Sequence, residues 1–295
     1  MANQLKILVP VGFSDQSILA IDQALVFAEA AEDAEITLLS IIEENGFFSR
    51  IFGQNKEAEQ IRDKVREKIK GLAQEYQDKS QFRVNSMVAK GIVYEEIARV
   101  SEMLEIDLVV MGTNGKPQNL RKRFIGSNAY RTASLVQPPV VTVKGVRIPE
   151  KVENIIFPLA LDRRSKEKVG PALHYARLFN ARIKIVSVLQ EADERKIVQA
   201  HLRQVEKFIT DHGIACDTRL IEPQDKEPKG VVRNTLNYAD DNDGDLVIIT
   251  EDHNGRDITD YFLGTDVQAV MYHSKIPVMS ITPSEVKWEA MWENF

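Results

Sequence analysis

Short apolar runs rich in β-branched residues alternate along this chain with longer stretches whose apolar positions recur every three or four residues. Leu5–Val11, Glu35–Ile42, Phe82–Val88, Asp107–Met111 and Val140–Val143 read as strands, with four helical stretches between them. The runs ILVPV and DLVVM are apolar without alternation, as expected of parallel strands covered by helices on both faces, so they belong at the centre of a sheet. Ile18, Ile21, Leu25 and Ala28 predict a core-facing stripe on the first helix, capped at its start by Asp15.

The pattern then repeats. KILVPVGFSDQS (6–17) returns as NIIFPLALDRRS (154–165) at an offset of 148, and ITLLSII (36–42) returns as IKIVSVL (183–189) at 147. DLVVMGTNG (107–115) returns as DLVIITEDHNG (245–255) at an offset of 138, which also relates PPVVTV (138–143) to IPVMSI (276–281). Val169, Leu173 and Ala176 repeat the first helix's stripe. Order is kept throughout, so the chain is two copies of one α/β unit: residues 1–147, residues 148–283, and an aromatic tail over 284–295. The stretch KGVRIPEKVEN (144–154) is the boundary.

Composition narrows the class. The 295 residues are 43% hydrophobic and 28% charged, an ordinary globular balance, and the formal net charge is −6, which gives no general attraction to polyanions. The first 149 residues carry 19 charges of each sign, so the whole acidic excess lies in the second copy. Cys216 is the one cysteine, in the third strand of the second copy; it rules out an internal disulfide and fits a reducing compartment. The run from Leu5 to Phe13 is too short to span a bilayer and contains Pro10, and no A-x-A-like cleavage pattern follows it. Cytoplasmic residence is the expectation, without membrane or nucleic-acid partners.

In a doubly wound sheet, ligands sit at the carboxyl ends of the strands near the point where strand order reverses. After the fourth strand come Gly112, Thr113, Asn114 and Gly115, then the basic Lys116, Arg121, Lys122 and Arg123, then Gly126, Ser127 and Asn128 opening a helix. Glycines let backbone N–H groups approach an anion, a serine hydroxyl can donate to phosphate, and a helix N-terminus adds positive partial charge. The competing reading is turn glycines and a helix cap among solvated charges.

These residues resemble the universal stress protein family in tandem form. ILVPV, DLVVMGT, the Gly-x2-Gly pair, Gly-Ser and PPVVTV carry the likeness in the first copy. The resemblance implies two Rossmann-like, adenine nucleotide alpha hydrolase-like five-stranded parallel sheets of strand order 3-2-1-4-5. It also implies pairing of the copies through their last strands as a chain-internal pseudo-dimer, with further homodimerisation open. For the nucleotide-binding branch it implies ATP or AMP held by Gly112, Gly115, Gly126 and Ser127, with Pro10, Met111 and Asn128 beside them. Two departures stand out: ten residues rather than nine separate Gly115 from Gly126, and Gly12 replaces an Asp that ends the first strand in ATP-binding members. The second copy departs further. Ala160 ends its first strand, Asp252 stands where the first loop glycine would lie, and Glu251, Asp257 and Asp260 make its loop acidic.

No Walker A lysine motif, G-x-S-x-G, H-E-x-x-H or strand-following G-x-G-x-x-G occurs, so turnover chemistry is not expected beyond slow incidental ATP hydrolysis. His174, His201, His212, His253 and His273 lack ligand spacing, and no metal is expected. Phe47, Phe48, Ile51 and Phe52, and Trp288, Met291, Trp292 and Phe295 in the tail, are too apolar for free segments and are expected to dock on protein. The two functional expectations are a stress-response sensor or carrier of an adenine nucleotide and a stress factor that acts only through protein partners.

Overall fold

A computed structural model of the chain describes residues 4–43, 56–113, 127–159, 165–189, 195–222, 230–250 and 264–281. Phe47–Phe52, the tail with Trp288 and Trp292, and Ala160, Asp252, His253 and Gly255 lie outside the described residues. The chain divides into two compact units, Met1–Gly145 and Val146–Phe295.

In the first unit the order is β1 (Leu5–Pro10), α1 (Asp15–Glu29), β2 (Ala34–Glu43), α2 (Lys56–Lys79), β3 (Arg83–Gly91), α3 (Val93–Met103), β4 (Leu108–Gly112), α4 (Ser127–Leu135) and β5 (Val140–Val143). The strands pair in parallel in the order β3-β2-β1-β4-β5. In the second unit the order is β6 (Asn154–Pro158), α5 (Ser165–Phe179), β7 (Arg182–Val188), α6 (Arg195–Asp211), β8 (Cys216–Ile221), α7 (Gly230–Asp241), β9 (Leu246–Thr250), α8 (Gly264–His273) and β10 (Val278–Ile281). Its sheet runs β8-β7-β6-β9-β10, again all parallel. Each unit is therefore a 3-2-1-4-5 doubly wound sheet, and strand order reverses between its first and fourth strands.

The central strands are buried on both faces: Ile7, Leu8 and Val9 in β1 and Leu108, Val109 and Val110 in β4 have no exposed surface. The repeat extends to individual hydrogen bonds. Glu105 and Asp243 each adopt a left-handed φ of 52°, and the next residue reaches back to close the preceding helix, Ile106 N to Ser101 O at 2.9 Å and Gly244 N to Ala239 O at 2.9 Å. The Asp that opens each DLV run then pins the start of the unit's first strand. Asp107 accepts from Lys6 N (2.9 Å), and Asp245 accepts from Glu153 N (3.0 Å) and Asn154 N (2.9 Å).

Two sequence expectations about α1 are corrected. Ser14, not Asp15, caps it: the Ser14 hydroxyl accepts from Ser17 N, and Asp15 is the first helical residue, exposed. The buried stripe is also rotated. Ile21 and Ala28 are fully buried, but Ile18 and Leu25 are half-buried, and Ser17, Ala20, Gln23, Ala24 and Phe27 complete the core face. Small residues let the helix axis lie close to the sheet, and the longer Ile18 and Leu25 are displaced to its flanks. Val169, Leu173 and Ala176 of α5 are buried as expected.

Candidate functional site

The reversal point of the first unit is the crest formed by the ends of β1 and β4. These strands are neighbours, with Ile7 opposite Leu108 and Leu8 opposite Val109, so Pro10 and Met111 each stand two residues beyond that last pair. After half-buried Pro10, Val11 donates its N–H to Leu39 O (2.8 Å), and the chain leaves the sheet at Gly12. Gly12 is exposed, and a Cβ built on it would meet nothing within 4 Å. Phe13 follows with a φ of 57°, uncommon for an aromatic residue, and Ser14 starts α1.

On β4, Met111 is buried and level with Thr142, and Gly112 is level with Val143. Thr113 ties the strand end to β5, its N–H donating to Val143 O at 2.9 Å and its hydroxyl to the same carbonyl at 3.4 Å. Gly112 has a packing reason of its own. A Cβ there would lie 2.8 Å from Ser17 N and closer still to the Gln16 carbonyl, so the first turn of α1 rests directly on the end of β4. Only glycine permits that approach.

The structure thus brings Pro10, Met111 and Gly112 together and places half-buried Asn128 on the first turn of α4. Gly115 and Gly126 lie outside the described residues, as do Lys116, Arg121, Lys122 and Arg123; Ser127 is the first residue of α4. In the second unit, β9 ends on Thr250 where β4 ends on Gly112. Counting back from Gly255 led to Asp252, whereas counting along the strand gives Thr250 as the counterpart, because the two loops differ in length.

Elsewhere, among the described residues, no group of three or more His, Cys, Asp or Glu side chains is placed to hold a metal ion, and no helix is long and apolar enough to cross a membrane. Burial pushes the half-buried Cys216 thiol up to about 12, with Glu206 and Asp217 adding to it, which favours the protonated form. His212 donates from Nδ1 to Phe208 O at 2.6 Å, a packing role. Sequence reasoning missed Ser14 as the cap, although a serine three residues before Ser17 was a sufficient signal. It also missed Lys68, whose ammonium stands 4.2 Å from the Phe13 ring centroid; residues 55 positions apart give no local signal.

Residues 5–144 match the model of the universal stress protein family. The first unit carries a universal stress protein domain. Universal stress protein MJ0577 of Methanocaldococcus jannaschii is 27% identical over 155 residues, covering 47% of this chain and 94% of that protein. Universal stress protein MJ0531 of the same organism is 29% identical over 144 residues, covering 47% of this chain and 81% of that protein. A solved universal stress protein from Archaeoglobus fulgidus DSM 4304 is similar over 95% of this chain and 97% of its own, with a TM-score of 0.75 at 16% identity. That likeness extends the universal stress protein fold across both units.

Proposed function

We propose that the first universal stress protein domain holds an adenine nucleotide, ATP or AMP, over its crest and acts as a sensor or carrier, by binding rather than by turnover. The observation that supports this reading is the junction at Gly112. It sets the end of β4 against the start of α1 at the reversal point, next to open space at Gly12 and ahead of the basic glycine loop. Pro10, Met111, Gly112, Gly115, Gly126, Ser127 and Asn128 form the proposed site, and the base end of the ligand lies toward Gly12. With no carboxylate at Gly12, binding is weaker by about 1–3 kcal/mol, a factor of about 5–150, if the ligand's polar edge is left unpaired. The second unit, with its acidic loop, takes no nucleotide. The protein is proposed to work in the cytoplasm.

Mass spectrometry of ligand released from the denatured protein, with calorimetric titration of ATP and AMP, tests the reading. The expected result is a co-purified adenine nucleotide or a saturating heat with one site per chain. Neither ligand nor heat at millimolar ATP rejects it in favour of the second reading, a stress factor acting through protein partners alone. Gly12 in the first domain and Thr250 in the second favour that alternative.

A further inference from the structure

Between α1 and α2 of the first domain lies a hollow of ≈ 270 Å³ lined by Phe13, Ile18, Lys68, Leu72 and Glu75. Ile18 and Leu72 are half-buried and give it two aliphatic walls. Lys68 and Glu75 are seven positions apart on α2, so their charges stand about two turns, or 10 Å, apart along the helix. The two charges are not equally engaged. Glu75 pairs with Lys79 at 2.5 Å. Lys68 lies over the Phe13 ring, and among the described residues no carboxylate pairs with it. The Phe13 backbone is itself strained at a φ of 57°, a conformation that persists only where its surroundings hold it and that clusters at ligand clamps.

We propose that this hollow is a binding site for a small organic anion with a single flat ring, of the aromatic carboxylate class. The volume, below the roughly 300–1,000 Å³ of pockets that enclose drug-sized ligands, suits a single ring, and none of the residues proposed for the crest lines the hollow. Ile18, Leu72 and the Phe13 ring offer apolar surface to the ligand's ring. Lys68 offers its carboxylate a charge-assisted hydrogen bond. Glu75 at the other end disfavours a second acidic group on the ligand.

Benzoate is the probe, followed through the Ile18 and Leu72 methyl resonances of the full chain, with benzamide as its uncharged counterpart. Benzoate is expected to shift both resonances saturably and benzamide to bind more weakly. Lys68→Met is expected to weaken benzoate by about tenfold or more, the effect of losing one hydrogen bond to a charged group. Lys64→Met, on the same exposed helix one turn away, removes the same charge without touching the hollow and is expected to bind as the unaltered protein does. The proposal is overturned by equal binding of benzoate and benzamide, by equal affinity in Lys68→Met, by equal losses in both variants, or by no shift at tens of millimolar benzoate.

Discussion

Gly12 and Gly112 stand at the ends of neighbouring strands, and they differ in what holds each position to glycine. Gly112 is held by packing, since any side chain there meets the backbone of Gln16 and Ser17, whereas Gly12 faces open space. Gly112→Ala is therefore expected to destabilise by about 1–3 kcal/mol, as overpacking does. Gly12→Ala is expected to stay within about 0.5 kcal/mol of the unaltered protein. Urea unfolding of the two variants side by side checks both. The sequence singled out Gly112 as a residue that lets backbone N–H groups reach an anion. The structure adds a second cause that no local pattern contained, because the atoms that forbid a side chain belong to a helix almost a hundred positions earlier. The same distance effect hid the Lys68–Phe13 contact, while Ser14 was missed only because the neighbouring acidic residue drew the capping assignment.

At the scale of elements, the strands were legible to within one to three residues, because an unbroken apolar run has few places to go other than the interior of a parallel sheet. The orientation of α1 was less so. Periodicity located an apolar stripe, but it cannot weigh small residues against large ones, and here Ser17, Ala20 and Ala24 decide which side approaches the sheet. A brace between α1 and α2 was not legible either. The Tyr76 phenol donates to Asp22 at 2.8 Å, and burial together with that carboxylate raises its pKa far above the ordinary 10.0. Because the folded form favours the neutral phenol, its contribution is complete below the unfolded pKa and is lost as pH rises beyond it. Tyr76→Phe is expected to lower stability by about 0.5–1.5 kcal/mol at neutral pH. It should also flatten the fall in stability that the unaltered protein undergoes above pH 10, as read from urea midpoints across alkaline pH.

At the scale of the whole chain, the repeat carried the most information, since three offsets located two copies before any element was assigned. Its depth became visible only in the structure, where the closing bonds of α3 and α7 and the pinning roles of Asp107 and Asp245 recur with the sequence. The copies differ at the end of the fourth strand, Gly112 against Thr250, and in the sequence of the loop that follows. If one copy alone takes the nucleotide, Gly126→Asp is expected to abolish the heat of ATP titration while Gly264→Asp leaves it intact. Equal loss from both would refute the assignment to the first copy.

The contact of α1 with Gly112 also sets what it would take to convert one half into the other. The second sheet ends its fourth strand on Thr250, a residue with a Cβ at the position where Gly112 lets the backbone of α1 come close. Restoring loop glycines around Gly255 would rebuild the letters of a nucleotide signature beside a strand end that still lacks its glycine. An engineer wishing to give this protein a second working crest would have to begin below the loop, at Thr250→Gly, and let the helix settle before the loop was rewritten.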